Sequence, residues 1–217
     1  VIVVDHHKCA AELPAAFALV NPNRLDEADE AAAHGHLAAV GVAFLLAAAI
    51  VRVLRGRGYF AERPEPRLMD LLDIVALGTV ADVAQLKGLN RAFVAQGLKV
   101  MSARRNVGLN ALASAARLNR APTCSDLGFA LGPRINAGGR VGKSDLGVRL
   151  LTTADPEEAR LIAQELDQLN EERRAIEAQV QEAAEAAMAT QHNRAVALGS
   201  GEGWHPGVIG SVAGRIK

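Results

Sequence analysis

Cysteine is nearly absent: Cys9 and Cys124 are the only two, far apart and without metal-type spacing. That pattern argues against a disulfide scaffold or a cysteine zinc cluster and fits a reducing, cytoplasmic interior. Aromatic residues are also few, with one Trp, one Tyr and five Phe, so no base-stacking platform is evident. Excess charge is missing too, since 24 basic residues face 24 acidic ones. A histone-like binder driven by bulk charge is excluded, but a local basic channel is not. The longest apolar stretch, Leu37 to Val51, stops at Arg52. It reads as a buried helix too short to span a bilayer, so no membrane partner is expected. No signal peptide and no repeat is visible.

What is present suits a packed α/β chain: half of the 217 residues are apolar. Val1 to Val4 is a β-branched run, as expected for a buried parallel strand, and it empties into Asp5-His6-His7. An acidic loop (Asp26, Glu27, Asp29, Glu30) precedes the Ala-rich helix, expected over Leu37 to Leu54. Gly56 to Pro66 reads as a surface loop. Leu68 to Ala76 reads as a helix leading into a tight turn at Leu77 to Asp82. Helices are further expected at Asn90 to Ser102 and Val107 to Leu118, followed by a Gly-, Pro- and Arg-rich segment from Leu131 to Arg140.

The sharpest element begins at Asp155. Asp155 is placed as N-cap, Pro156 as first helical residue, and Glu158 as the partner in a capping box. Ile162, Leu166, Leu169, Ile176 and Val180 form one stripe, and nothing breaks the run before Thr190. Such a helix suits a spacer between two domains. A short strand at Ala195 to Leu198 and a turn at Gly199 to Gly203 then open a second α/β domain at Trp204 to Gly210. The chain starts and stops inside apolar patterns, so the expectation is an interior piece of a longer protein.

Asp5-His6-His7 sits beyond a strand's carboxyl end, where α/β sheets bind ligands. Imidazole with carboxylate suits Mn²⁺ or Mg²⁺, and adjacent side chains there diverge, so one His can hold metal while the next faces substrate. The bland alternative is a chance His pair in a polar loop. Asp82 reads equally as a carboxylate brought to the same edge or as the cap of the next helix. Arg134, Asn136 and Arg140 offer guanidinium and amide groups among glycines that let backbone approach a phosphate; the alternative is a turn with solvated arginines. Lys143 and Arg149 could extend that face. The basic groups at Arg52 to Arg67 and at Arg104-Arg105 read as solvated surface. His34 and His36 lack a third ligand, Cys9 reads as a small buried residue, and Trp204 and His205 could contact a base or simply pack.

Val4-Asp5-His6-His7 resembles the signature of the DHH phosphoesterase superfamily, and Leu77-Gly78-Thr79-Val80-Ala81-Asp82-Val83 resembles its later aspartate motif. Leu131 to Arg140 is similar to a motif of the RecJ branch, and Trp204 to Gly210 looks like the start of the DHHA1 domain. The four motifs stand in the family's order across nearly the whole chain. The resemblance implies two-metal hydrolysis of phosphodiester bonds, releasing nucleotides from the 5′ end of single-stranded DNA, with repair or replication proteins as further partners. His6 and Asp82 would ligate one metal, His7 would contact the scissile phosphate, and Asp5 would orient the His pair or touch the metal. Arg134, Asn136 and Arg140 would contact the nucleic acid. Residues 1–154 would be the later part of the DHH domain, 155–190 a connecting helix and 191–217 the start of DHHA1.

One departure matters: the family's earlier aspartate motifs have no counterpart upstream of Asp5. The expectation is therefore weak metal binding and no activity from this chain alone. Two rivals stay open, a nano-RNase or nucleotide phosphatase of the same superfamily, and a non-catalytic scaffold that has lost its metals.

Overall fold

A computed structural model describes residues 1–189, 191, 196 and 198–216. Its contacts divide the chain into two compact units, Val1–Asn106 with Leu118–Gly132, and Val107–Arg117 with Pro133–Lys217.

In the first unit, β1 (Ile2–Val4) and β2 (Ala18–Val20) form a parallel pair in the register Ile2↔Ala18, Val3↔Leu19, Val4↔Val20. A parallel pair needs a long crossover, and residues 5–17 supply it. The strand was expected to be buried, yet Val1 is 94% and Ile2 58% exposed. Among the described residues the sheet has two strands, and Val3 and Val4 are its half-buried positions on β1.

A short α1 (Asp29–Ala32) follows in the acidic stretch, then α2 (Ala39–Gly56). By length and composition α2 is long and apolar enough to cross a membrane, contrary to the shorter run read from the sequence. Nor is it buried throughout: Gly41, Val42 and Val51 are covered, while Ile50 and Val53 are half exposed. A 3₁₀ turn (Leu68–Leu71) leads into α3 (Leu72–Ala81), which packs on α4 (Gly88–Ser102). The tight turn expected at Leu77 to Asp82 is absent, because the helix runs through to Ala81. Packing overrides the turn residues here: a Cβ on Gly78 would stand 2.9 Å from Val40 Cγ1, so the glycine lets α2 approach.

Gly97 does the same between α3 and α4, where a Cβ would stand 2.1 Å from the Leu72 carbonyl oxygen. The core joins Leu37, Val42, Leu72, Val75 and Phe93, with Val4 and Val20 of the strands against it. Burial of these side chains contributes roughly 1.5–3 kcal/mol each before entropy is subtracted. α6 (Cys124–Asp126), opened by a Thr123–Asp126 capping box, and a π turn (Leu127–Leu131) complete the unit.

The second unit holds α5 (Val107–Ala115), α7 (Gly132–Val141, from Pro133), α8 (Leu146–Thr152), α9 (Pro156–Met188) and α10 (Pro206–Ile216). α9 has 33 residues, about 50 Å at ~1.5 Å per residue. Asp155 caps it as expected, accepting from Glu157 N at 2.9 Å. Glu158 does not close the expected box: it accepts from Thr153 Oγ1 at 2.6 Å and pairs with Arg149 instead. The predicted stripe is real, with Ile162, Leu166 and Val180 buried.

However, α9 is no bare spacer. α5 and α8 pack on it, and so does α10, so it lies within one unit. Glu177, 1% exposed, pairs with Arg173 one turn away on α9 and ties the helix to α10 through Arg215. Trp204 packs on the cluster of Val180, Ala184, Val208 and Val212. His205 Nδ1 accepts from Gly207 N at 3.0 Å, at the start of α10. Of the strand expected at Ala195 to Leu198, residues 195 and 197 lie outside the described residues.

Candidate metal centre

The centre is built where β1 and β2 end side by side. Asp5 N donates to Val20 O at 3.1 Å, extending the strand pairing by one step before the chain turns away. His7 Nδ1 donates to Asp5 Oδ1 at 2.8 Å. That pairing raises the His7 imidazole above its ordinary 6.5 and lowers the Asp5 carboxyl below its ordinary value, in both cases chiefly through their mutual hydrogen bond. His7 itself is 77% exposed, so its free edge faces solvent. The two imidazoles lie with centroids 4.4 Å apart and planes tilted by 55°.

His6 turns the other way, to Asp82. Its Nε2 lies 3.4 Å from Asp82 Oδ2, with the imidazole largely covered. Asp82 is the C-cap of α3, held by a bond from its N to Gly78 O at 3.0 Å. It caps no following helix, so the two readings of this residue resolve toward convergence with His6. Val83 follows at φ 56°, a left-handed conformation that a β-branched residue rarely adopts. Strain of order 1–3 kcal/mol held at such a place is characteristic of functional loops.

Asp5, His6 and His7 each offer a ligand atom within 4.8 Å of the others, and Asp82 adds a carboxylate beside His6. Two imidazoles and two carboxylates are a donor set that fits Mn²⁺ or Mg²⁺. Among the described residues no other such group occurs. His34 and His36, with ring centroids 6.2 Å apart, gain no third ligand.

The sequence reading missed two residues here. Asn21, 2% exposed, donates from Nδ2 to His7 O at 2.8 Å and lies 3.2 Å from Cys9 Sγ. Asn23 Nδ2 donates to His6 O at 2.6 Å and to Gly35 O at 2.9 Å. The available signal was the apolar triplet Ala18-Leu19-Val20 ending in Asn21-Pro22-Asn23, a second strand exit carrying amides.

The expected nucleic-acid residues stand differently from their prediction. The Gly/Pro/Arg segment is a helix, α7, not a flexible loop. Gly138 serves packing, since a Cβ there would meet Leu166 Cδ2 and Lys143 O, both at 3.1 Å, while Gly139 opens on free space. Arg134 pairs through Nε with Asp167 at 2.8 Å and is mostly covered. Arg140 Nη1 donates to Gly207 O at 2.8 Å and meets Ser211 Oγ at 3.3 Å. Asn136 is exposed.

No family model matches the chain. Among curated proteins it is 46% identical to the single-stranded-DNA-specific exonuclease RecJ of Dickeya dadantii, and 43% identical to that of Escherichia coli. Both matches take in all of this chain and 39% of the relative, so the chain spans about two fifths of their length. The crystal structure of RecJ in complex with Mn²⁺ from Thermus thermophilus superposes with TM-score 0.78 at 35% identity, over 99% of this chain and 30% of that one. A second structure, exonuclease RecJ bound to manganese, gives 0.75 at 34% identity, over 99% of this chain and 51% of that one.

The fold defines an α/β protein that matches the RecJ DHH domain structures. Within that class the chain belongs to the RecJ family, matching part of each relative.

Proposed function

We propose that this chain carries the histidine-pair and late-aspartate portion of a metal-dependent nuclease centre that hydrolyses single-stranded DNA from its 5′ end. The supporting observation is the approach of His6 Nε2 to Asp82 Oδ2, 3.4 Å apart although far separated in sequence. His6 and Asp82 would hold a divalent cation, Mn²⁺ or Mg²⁺. Bound there, such an ion acts as a Lewis acid on phosphoryl oxygen and makes water more acidic.

The chain's own groups do the rest. Asp5 fixes the His7 tautomer by accepting from Nδ1, so Nε2 points away from Asp5. The same hydrogen bond raises the His7 pKa and so favours the imidazolium, which is suited to a phosphate oxygen of the substrate. Arg134 and Arg140, having protein partners, would act on DNA only as parts of α7, with Asn136 as its exposed polar group. The assignment of residues 1–154 to the DHH domain and of 191–217 to the start of DHHA1 belongs to the same reading. So do repair or replication partners and a reducing cytoplasm, the last supported by two free cysteines.

With His6 and Asp82 as the metal ligands, a two-metal cluster is not closed by these residues, and turnover by this chain alone is not expected. The test is a nuclease assay with labelled long single strands and with dinucleotides, in Mn²⁺. No cleavage of either is the expected result. Turnover abolished by His6→Ala would overturn the expected inactivity, and preference for dinucleotides would overturn the substrate assignment.

A further inference from the structure

We infer that Asn21 and Asn23 are positioning residues: a two-amide clamp that holds the peptide groups of His6 and His7 and so sets where both imidazoles point. The inference rests on the metal reading of that site.

Three observations carry it. First, each histidine carbonyl has its own donor, Asn23 Nδ2 on His6 O at 2.6 Å and Asn21 Nδ2 on His7 O at 2.8 Å. A carbonyl can only accept, so both amides must present their NH₂ groups, which fixes their orientation. Second, the clamp is internally braced. Asn21 Oδ1 accepts from Asn23 N at 2.9 Å, and Asn23 Nδ2 also reaches Gly35 O at 2.9 Å, linking the loop to the chain ahead of α2. Third, Gly35 is the seat of the clamp: a Cβ there would stand 2.4 Å from Asn23 Oδ1.

The consequence is geometric. Pinning successive carbonyls fixes the peptide planes on either side of His7, and with them the directions of both Cα–Cβ bonds. One ring is thereby delivered to Asp82 and the next to Asp5. Asn21 is almost wholly buried, so its amide meets the backbone in a setting where an unmade bond is expensive. Groups that orient ligands without touching the ion typically control affinity by 10–100-fold.

The test uses this 217-residue chain, with Mn²⁺ affinity read from the EPR signal of the free ion and imidazole ¹⁵N shifts recorded without metal. Asn21→Asp and Asn23→Asp keep the shape and remove the donor; Gly35→Ala displaces Asn23 without altering any polar group. Expected are Mn²⁺ affinities about 10–100-fold weaker for all three, with native circular dichroism and shifted His6 and His7 ring nitrogens. Wild-type affinity and unshifted rings in folded variants would overturn the clamp while leaving the metal reading intact, provided that His6→Ala abolishes binding. If His6→Ala binds like wild type, the metal reading fails, and the ring shifts alone decide whether the asparagines orient the histidines. Should the aspartate variants fail to fold, Gly35→Ala and the exchange rates of the Asn21 and Asn23 amide protons decide, slow exchange supporting the clamp and fast exchange overturning it.

Discussion

At the scale of single residues, the site works by division of labour between neighbours. Asp5 spends its hydrogen bond on His7, leaving His6 to Asp82. Asp5→Asn should bring the His7 pKa down toward its ordinary 6.5, which a histidine NMR titration of the metal-free chain will check. The sign follows from both partners. His7 is raised, so the pair's contribution is complete below the ordinary histidine value and is lost as pH rises through the folded value. Asp5 is lowered, so the contribution is also lost as pH falls below 3.8 through its folded value. An unchanged His7 titration in Asp5→Asn would show that the 2.8 Å contact does not govern the ring.

Asp5, His6 and His7 were legible because strand-end carboxylate and imidazole form a chemical pattern, whereas Asp82, at the end of a helix, left two readings open. Asn21 and Asn23 were missed. They act on backbone carbonyls, which every residue has, so the strand exit that carries them announces amides without naming what those amides hold.

At the scale of elements, glycine misled the reading twice and for one reason. Gly78 in α3, and Gly138 and Gly139 in α7, sit where sequence rules place turns, yet each lies inside a helix. Glycine also permits close approach, and a single sequence cannot tell that use from conformational freedom. Gly97 gives a direct test. Gly97→Ala would thrust a methyl group against the Leu72 carbonyl and Ala76 Cβ, at 2.1 and 2.5 Å. Overpacking of this kind costs roughly 1–3 kcal/mol, more than helix propensity returns. Urea denaturation should show the loss, and an unchanged midpoint would mean that α3 and α4 can slide apart freely. The α9 helix, by contrast, was readable almost to the residue, because cap, proline and apolar stripe agree. Its role was not, because a stripe announces a buried face without naming what covers it.

For the molecule as a whole, the sequence suggested two domains bridged by a helix, whereas the contacts form two units with that helix inside the second. Length alone implied a spacer, but the apolar stripe of α9 is covered by α5, α8 and α10. Glu177 is the polar fastening of that arrangement, buried between Arg173 and Arg215. Breaking a buried pair by removing one partner costs about 3–5 kcal/mol. Glu177→Ala should therefore lower the unfolding midpoint of the second unit while leaving the His7 titration unchanged. A loss below about 0.5 kcal/mol would place it among ordinary surface changes.

The strand register Val4↔Val20 also sets what the histidine loop meets when it leaves the sheet. Slide one strand by a single residue and Pro22, whose side chain has no hydrogen to give, takes the place of an asparagine opposite those carbonyls. Pairing partners as distant as Ile2 and Ala18 are thus part of the aiming apparatus, and damage there would blind the centre while leaving all its ligands in the sequence.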